Sequence, residues 1–205
     1  MLTKKVEEFC NRQIEREGYS SNLYLAMAAW AESKGMAGIG AWLYAQADEE
    51  RLHLLKFIKY VTERGGNAVI PAFKQPPVKY KGIKEMFKEV LKHEQFITGS
   101  INEVLAVAIS EKDYATSNWI QWFVTEQVEE ENSVQLIIDK LELAGETGLY
   151  FLDRDIMALA QQFVGLAGHV GHRRQQAQRR FRGTLEQDQQ VLAIEFQQFA
   201  VLERQ

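Results

Sequence analysis

Glu49-Glu50-Arg51-Leu52-His53 lies at the middle of a long helical pattern formed by Ile39, Leu43, Gln46, Glu50, His53, Phe57 and Tyr60. Steps of three and four keep all seven on one stripe of a helix, so Glu50 and His53 sit one turn apart on a face that is otherwise apolar. Three more stretches repeat the arrangement. The first is Val6, Cys10, Gln13, Glu17, Ser21, Tyr24 and Ala28; the second is Ile83, Phe87, Val90, Glu94, Ile97, Ile101 and Leu105; the third is Thr116, Ile120, Phe123, Gln127, Glu130, Val134, Ile137 and Leu141. None of the four stripes carries Lys or Arg. Carboxylates buried without compensation are costly, and only protons or a bound cation neutralise them. A lone Glu-x-x-His step is common on solvated helices. Its coincidence with Glu17, Glu94, Gln127 and Glu130 on three other apolar stripes predicts a metal site.

The stripes predict an all-α chain. The first helix spans about Thr3 to Ser33, the second Ala37 to Arg64 with Gly65-Gly66 as its stop, the third Ile83 to Ser110 and the fourth Asp113 to Leu143. Gly145 and Gly148 break the pattern before a short fifth helix at about Tyr150 to Gln161. All three prolines, Pro71, Pro76 and Pro77, fall in one extended connection between the second and third helices. Short link, long crossover, short link is the topology of a four-helix bundle with one long connection. When antiparallel helices of similar length pack side by side, their midpoints share one height. Glu17, Glu50, His53, Glu94, Gln127 and Glu130 each lie near a helix midpoint and should form one layer.

Composition fits one globular domain: 46% of the 205 residues are hydrophobic and 25% charged, with a net charge of −4. The single cysteine, Cys10, excludes a disulfide framework and any cysteine-based metal site. No apolar run approaches the ~18 residues of a membrane span, and the start lacks a secretory pattern, so a cytoplasmic protein without a membrane partner is expected. Residues 1–160 carry 24 acids and 18 bases, a balance that suits cations and argues against nucleic acid as partner. Composition shifts near residue 160. Residues 162–205 form an Arg/Gln-rich extension, basic from His169 to Arg182 and mildly amphipathic around Leu185, Leu192, Phe196, Phe199 and Leu202. Domains are therefore expected at 1–161 and 162–205. The partner of the extension is unknown; His169 and His172 read as part of a solvated basic segment.

A donor set of carboxylates, one imidazole and one amide is hard and oxygen-rich, suited to Fe, Mn or Mg rather than to structural zinc. Glu49, Glu126 and Glu129 adjoin the central layer and read as a third cation site or an acidic exit path.

Residues 1–160 resemble the prokaryotic non-haem ferritins. The resemblance rests on Glu17-Gly-Tyr-Ser-Ser-Asn-Leu-Tyr24, Glu49-Glu50-Arg-Leu-His53, Lys92-His93-Glu94, Trp122-Phe-Val-Thr-Glu-Gln-Val-Glu-Glu-Glu131 and Gly148-Leu-Tyr-Phe-Leu-Asp153. It implies a ferritin-like bundle that oxidises Fe(II) with O2 or H2O2 at a di-iron centre and stores ferric mineral. It also implies a cage of 24 copies, with the fifth helix near the four-fold axes. Glu17, Glu50 and His53 would hold one iron and Glu50, Glu94 and Glu130 the second, with Gln127 on the O2 side. Glu49, Glu126, Glu129 and Glu130 would form a third iron site. Tyr24 matches a tyrosine close to the metals, which serves as an electron donor or packs in the core. Trp122 is expected to be core, and His93 to point away from the metals. Leu52 replaces the methionine that binds haem in bacterioferritins, so no haem is expected. The alternatives are a non-storage di-iron oxidase and a cage whose extension is a partner or cargo adaptor.

Overall fold

The computed structural model describes residues 1–166, and the side chains from Gln161 onward are outside that description. Apart from helical backbone up to Leu166, the expectations for the 162–205 extension lie outside the described residues. Residues 1–157 form one compact unit.

The described residues form α1 (Lys4–Ser33), α2 (Ala37–Glu63), α3 (Ile83–Ser110) and α4 (Tyr114–Leu166), the last interrupted at Gly145. Thr3 is the N-cap of α1, its hydroxyl accepting from the Val6 N–H at 3.3 Å. Gly65, at φ +74, closes α2 where the sequence predicts. Asp113 caps α4 by accepting from the Thr116 N–H at 3.1 Å, and Arg64 at the end of α2 forks onto its two oxygens at 3.0 and 3.1 Å. That fork ties the end of α2 to the start of α4 and sets the register of the two helices that carry most of the acids.

The fourth and fifth helices differ in detail from expectation. Only Gly145 leaves the helical conformation, at φ 57 and ψ −168, a region that only glycine enters cheaply. Gly148 is helical, and turns resume at once after Gly145, so the second segment is longer at both ends than Tyr150 to Gln161. It locks onto α2 through Asp153, whose carboxylate accepts from the Gly38 and Ile39 N–H groups at 3.1 and 2.9 Å. A side chain at position 38 would collide with the Asp153 backbone carbonyl, so the approach requires glycine.

The core has two apolar halves. Val6, Cys10, Ile14, Phe57, Val61, Ile97, Ile101, Val104, Ile120 and Phe123 fill one. Met27, Trp42, Leu43, Met86 and Phe87 belong to the other, where Trp42 packs between Tyr24 and Phe87 at ring distances of 6.4 and 5.6 Å. A polar layer separates them.

Candidate metal centre

Each helix delivers its acid to the layer by register alone. Glu17, Glu50, His53, Glu94, Gln127 and Glu130 are all buried, together with Glu49 and Glu126. His53 Nδ1 lies 3.3 Å from Glu50 Oε2 and 4.0 Å from Glu17 Oε2. Glu17, Glu50 and His53 offer ligand atoms within 4.8 Å of one another, and so do Glu49, His53 and Glu126. His53 thus stands between two groups. Its ring is set by Trp122 and Phe123, both edge-on with centroids 5.5 Å away.

The layer is electrostatically strained without a cation. Burial, and then the nearby Glu50 charge, raise the proton affinity of Glu17 well above the ordinary carboxyl range. Burial and Glu94 do the same to Glu50, and burial with Glu49, Glu94 and Glu50 to Glu130. Glu94 is pushed up to about 7 by burial, a rise tempered by the hydrogen bonds of Tyr24 and Gln127. Glu126 is raised by burial and by Glu49. Partial desolvation brings the Lys56 ammonium down to about 8; it rests 2.8 Å over the Trp122 ring, with the charges of Glu126 and Glu49 opposing the shift.

A second set of side chains holds oxygens of Glu17, Glu130 and Glu94. Gln13 Nε2 donates to Glu17 Oε1 at 2.8 Å, Gln46 Nε2 to Glu130 Oε2 at 3.0 Å and Tyr24 Oη to Glu94 Oε1 at 2.5 Å. Gln127 Nε2 donates to Glu94 Oε2 at 3.3 Å. Meanwhile Glu17 Oε2, Glu50 Oε2 and Glu126 Oε2 are buried acceptors with no hydrogen-bond partner. Buried oxygens are seldom left unsatisfied. These three are directed by their partners' absence toward a cation, and an oxygen-rich set with one imidazole fits iron.

Other expected residues fall elsewhere. Glu129 is half-exposed; its charge bears on Glu126, but it does not join the Glu49–His53–Glu126 group. His93 faces away from the acids, bonded to Ser20 at 2.7 Å, and burial lowers its proton affinity to about 4. Leu52 is exposed on the far side of α2.

Comparison with known proteins places the chain in a family. A family model described as a ferritin-like domain matches residues 8–144. A bacterial non-heme ferritin of Campylobacter jejuni is 41% identical over 162 residues, covering 78% of this chain and 97% of the relative. The chain belongs to the ferritin family. A bacterial non-heme ferritin of Escherichia coli O157:H7 is likewise 41% identical, over 79% of this chain and 99% of its own length. Among solved structures, an open pore ferritin from the archaeon Archaeoglobus fulgidus superposes with a TM-score of 0.75 at 41% identity, covering 76% of this chain and 96% of that one. As a ferritin, the chain is an iron-storage protein and a ferroxidase. Among the described residues, no helix is long and apolar enough to cross a membrane.

Sequence reading placed Gln13 and Gln46 on the apolar stripes but assigned them no part in the ferritin site. An amide one turn from an acid on such a stripe is the signal that marks them. Ser100, Thr98 and Lys56 carry no comparable signal, because their relation to the acids depends on how the helices pack.

Proposed function

We propose that Glu17, Glu50 and His53 hold one Fe(II), and that Glu50, Glu94 and Glu130 hold a second, with Glu50 shared. The observation that carries this reading is the pairing of unpartnered oxygens with pinned ones. Glu17 and Glu50 each present a free oxygen beside the one imidazole of the layer, while amides and Tyr24 fix the remaining carboxylates. Before iron arrives, burial and mutual repulsion favour protons on these acids. Fe(II) takes the place of those protons. Each Fe(II) then gives up one electron, and O2 or peroxide accepts the pair. Gln127, held by Glu94 and Thr98, lines the side from which the oxidant approaches.

Glu49 and Glu126 are proposed to take a third iron next to the pair, with His53 and Glu130 on its inner side and Glu129 at its solvent rim. Glu126 Oε2 is the free acceptor there. Tyr24 stands ready to give an electron and its proton, the latter along the 2.5 Å bond to Glu94. Ferritins of known structure support a homo-oligomer, and a hollow cage of 24 copies in the cytoplasm is the reading adopted here. Ferric product accumulates inside it as mineral.

His53→Ala tests the assignment. Stopped-flow absorbance at two Fe(II) per subunit should show the rapid phase slowed by about a hundredfold or more, beyond the roughly 10–100-fold typical of losing a residue that only orients a ligand. An unchanged rapid phase would remove His53, and with it both groups, from the reading.

A further inference from the structure

A chain of hydrogen bonds runs from the surface to Glu17, and it has a direction. At its outer end Arg16, on α1, is half-buried and reaches Glu103 of α3, with Nη1 3.4 Å from Oε2. The same Nη1 donates to Ser100 Oγ. Ser100 Oγ donates to Gln13 Oε1, and Gln13 Nε2 donates to Glu17 Oε1 at 2.8 Å. Ser100 and Gln13 are buried; Arg16, Gln13 and Glu17 lie on α1, and Ser100 and Glu103 on α3.

Guanidinium groups only donate. Ser100 therefore accepts from Arg16, and its own proton is left for Gln13. The Gln13 amide turns its carbonyl to Ser100 and its NH2 to the carboxylate. Rotated by half a turn, the amide would set its oxygen against Glu17 Oε1, two acceptors in a buried place. Orientation of the amide is thus supported from both ends, by the Ser100 proton and by the Glu17 carboxylate. It in turn decides which oxygen of Glu17 is tied. Oε1 is held, and Oε2 is the atom without a partner, turned to His53 Nδ1 at 4.0 Å.

We propose that Arg16, Ser100 and Gln13 are positioning residues for the first iron, a wire that holds Glu17 as a one-oxygen ligand. None of the three touches the metal. With Oε1 tied, Glu17 meets iron through Oε2 alone, and a coordination position stays open. Loss of the wire frees the carboxylate to chelate through both oxygens or to turn away. This rests on the reading of Glu17 as an iron ligand.

The test uses the assembled protein with three variants and a Glu17→Ala control. Ser100→Ala removes the relay, Ser100→Thr retains the hydroxyl, and Arg16→Gln alters the surface end. Two quantities are read: the Fe(II) concentration for half-maximal initial oxidation rate against the maximal rate, and the visible absorption of Co(II) titrated anaerobically to one per subunit. Co(II) d–d intensity reports coordination number, which a purely structural role would not move. Ser100→Ala should raise the half-maximal Fe(II) concentration roughly tenfold, the worth of one hydrogen bond to a charged group, with a smaller change in maximal rate. Its Co(II) band should change intensity, weaker where Glu17 chelates through both oxygens and stronger where it turns away, and Ser100→Thr should restore both. Arg16→Gln should move both in the same direction, and it decides the matter if Ser100→Ala does not assemble. An unchanged half-maximal concentration and an unchanged Co(II) spectrum overturn the wire, provided Glu17→Ala abolishes the rapid phase. If Glu17→Ala keeps that phase, the ligand reading falls and the wire with it.

Discussion

Two neighbouring stretches of the same bundle core follow opposite rules. In the apolar half, Phe57, Val61, Ile97, Ile101, Ile120 and Phe123 are buried among each other and satisfy everything they carry. One turn away, Glu17, Glu50, Glu94 and Glu130 are equally buried and repel one another, and Glu17 and Glu50 each keep an oxygen without a partner. The helices are continuous through both. What separates them is only which side chain occupies the inward position, so the apolar half can supply stability that the layer consumes. The bundle holds a poised site because the surrounding packing overdetermines its shape.

Truncation in the apolar half should give the largest change. Phe57→Ala removes a fully buried ring that packs on Trp119 and Phe123 at 5.0 and 4.6 Å. A loss of about 3–5 kcal/mol is expected, read from guanidinium unfolding at fixed protein concentration. A loss below ~1 kcal/mol would mean that this half is not the source of rigidity.

Glu50→Gln in the layer should act in the reverse sense and more weakly. It replaces an acid whose charge is disfavoured by burial and by its neighbours with a neutral amide of the same shape. Metal-free protein should gain about 1–2 kcal/mol while rapid Fe(II) oxidation disappears. Destabilisation by the same substitution would show that the layer is already satisfied without metal, and the contrast between the two halves would vanish.

The smallest effect is a pH dependence. Glu94 has a folded pKa of about 7 against an ordinary 4.5, so between these values the folded chain binds more protons than the unfolded one. The stability it contributes is full below pH 4.5 and is lost as pH rises through 7; Glu17, Glu50 and Glu130 are shifted in the same direction. Metal-free protein should therefore melt a few degrees lower at pH 7.5 than at pH 5.5 in calorimetry. Zn(II), which replaces the protons, should narrow the gap. A melting point that rises over this range without metal contradicts the picture.

The sequence carried the four stripes, and with them the bundle, because burial along one helix face needs nothing beyond that helix's own residues. The inward acids were legible for the same reason. Helix-to-helix relations were not. That His53 serves two groups depends on where α4 sets Glu126 against α2. That Glu129 stays at the rim depends on a fraction of a turn of α4. Ser100 reads as an ordinary small residue on α3 until Gln13 and Arg16, more than eighty residues earlier, are placed beside it. Gly145 was visible as a break, but the immediate resumption of the helix was not, since Gly148 looked like a second stop and is accommodated within a turn.

Asp153 has a consequence for how the protein is made. The first turn of α2 obtains its acceptors for Gly38 and Ile39 from a residue synthesised 115 and 114 positions later. While the chain emerges from the ribosome, α1, α2 and α3 can collapse on their apolar stripes, but the opening N–H groups of α2 keep only water as a partner. Closure of that end waits for the segment beyond Gly145 to clear the exit tunnel. Translation order thus leaves the helix that bears Glu50 and His53 loosely tied at its start until nearly all of the bundle exists, and a ribosome pause just before Asp153 would prolong that interval.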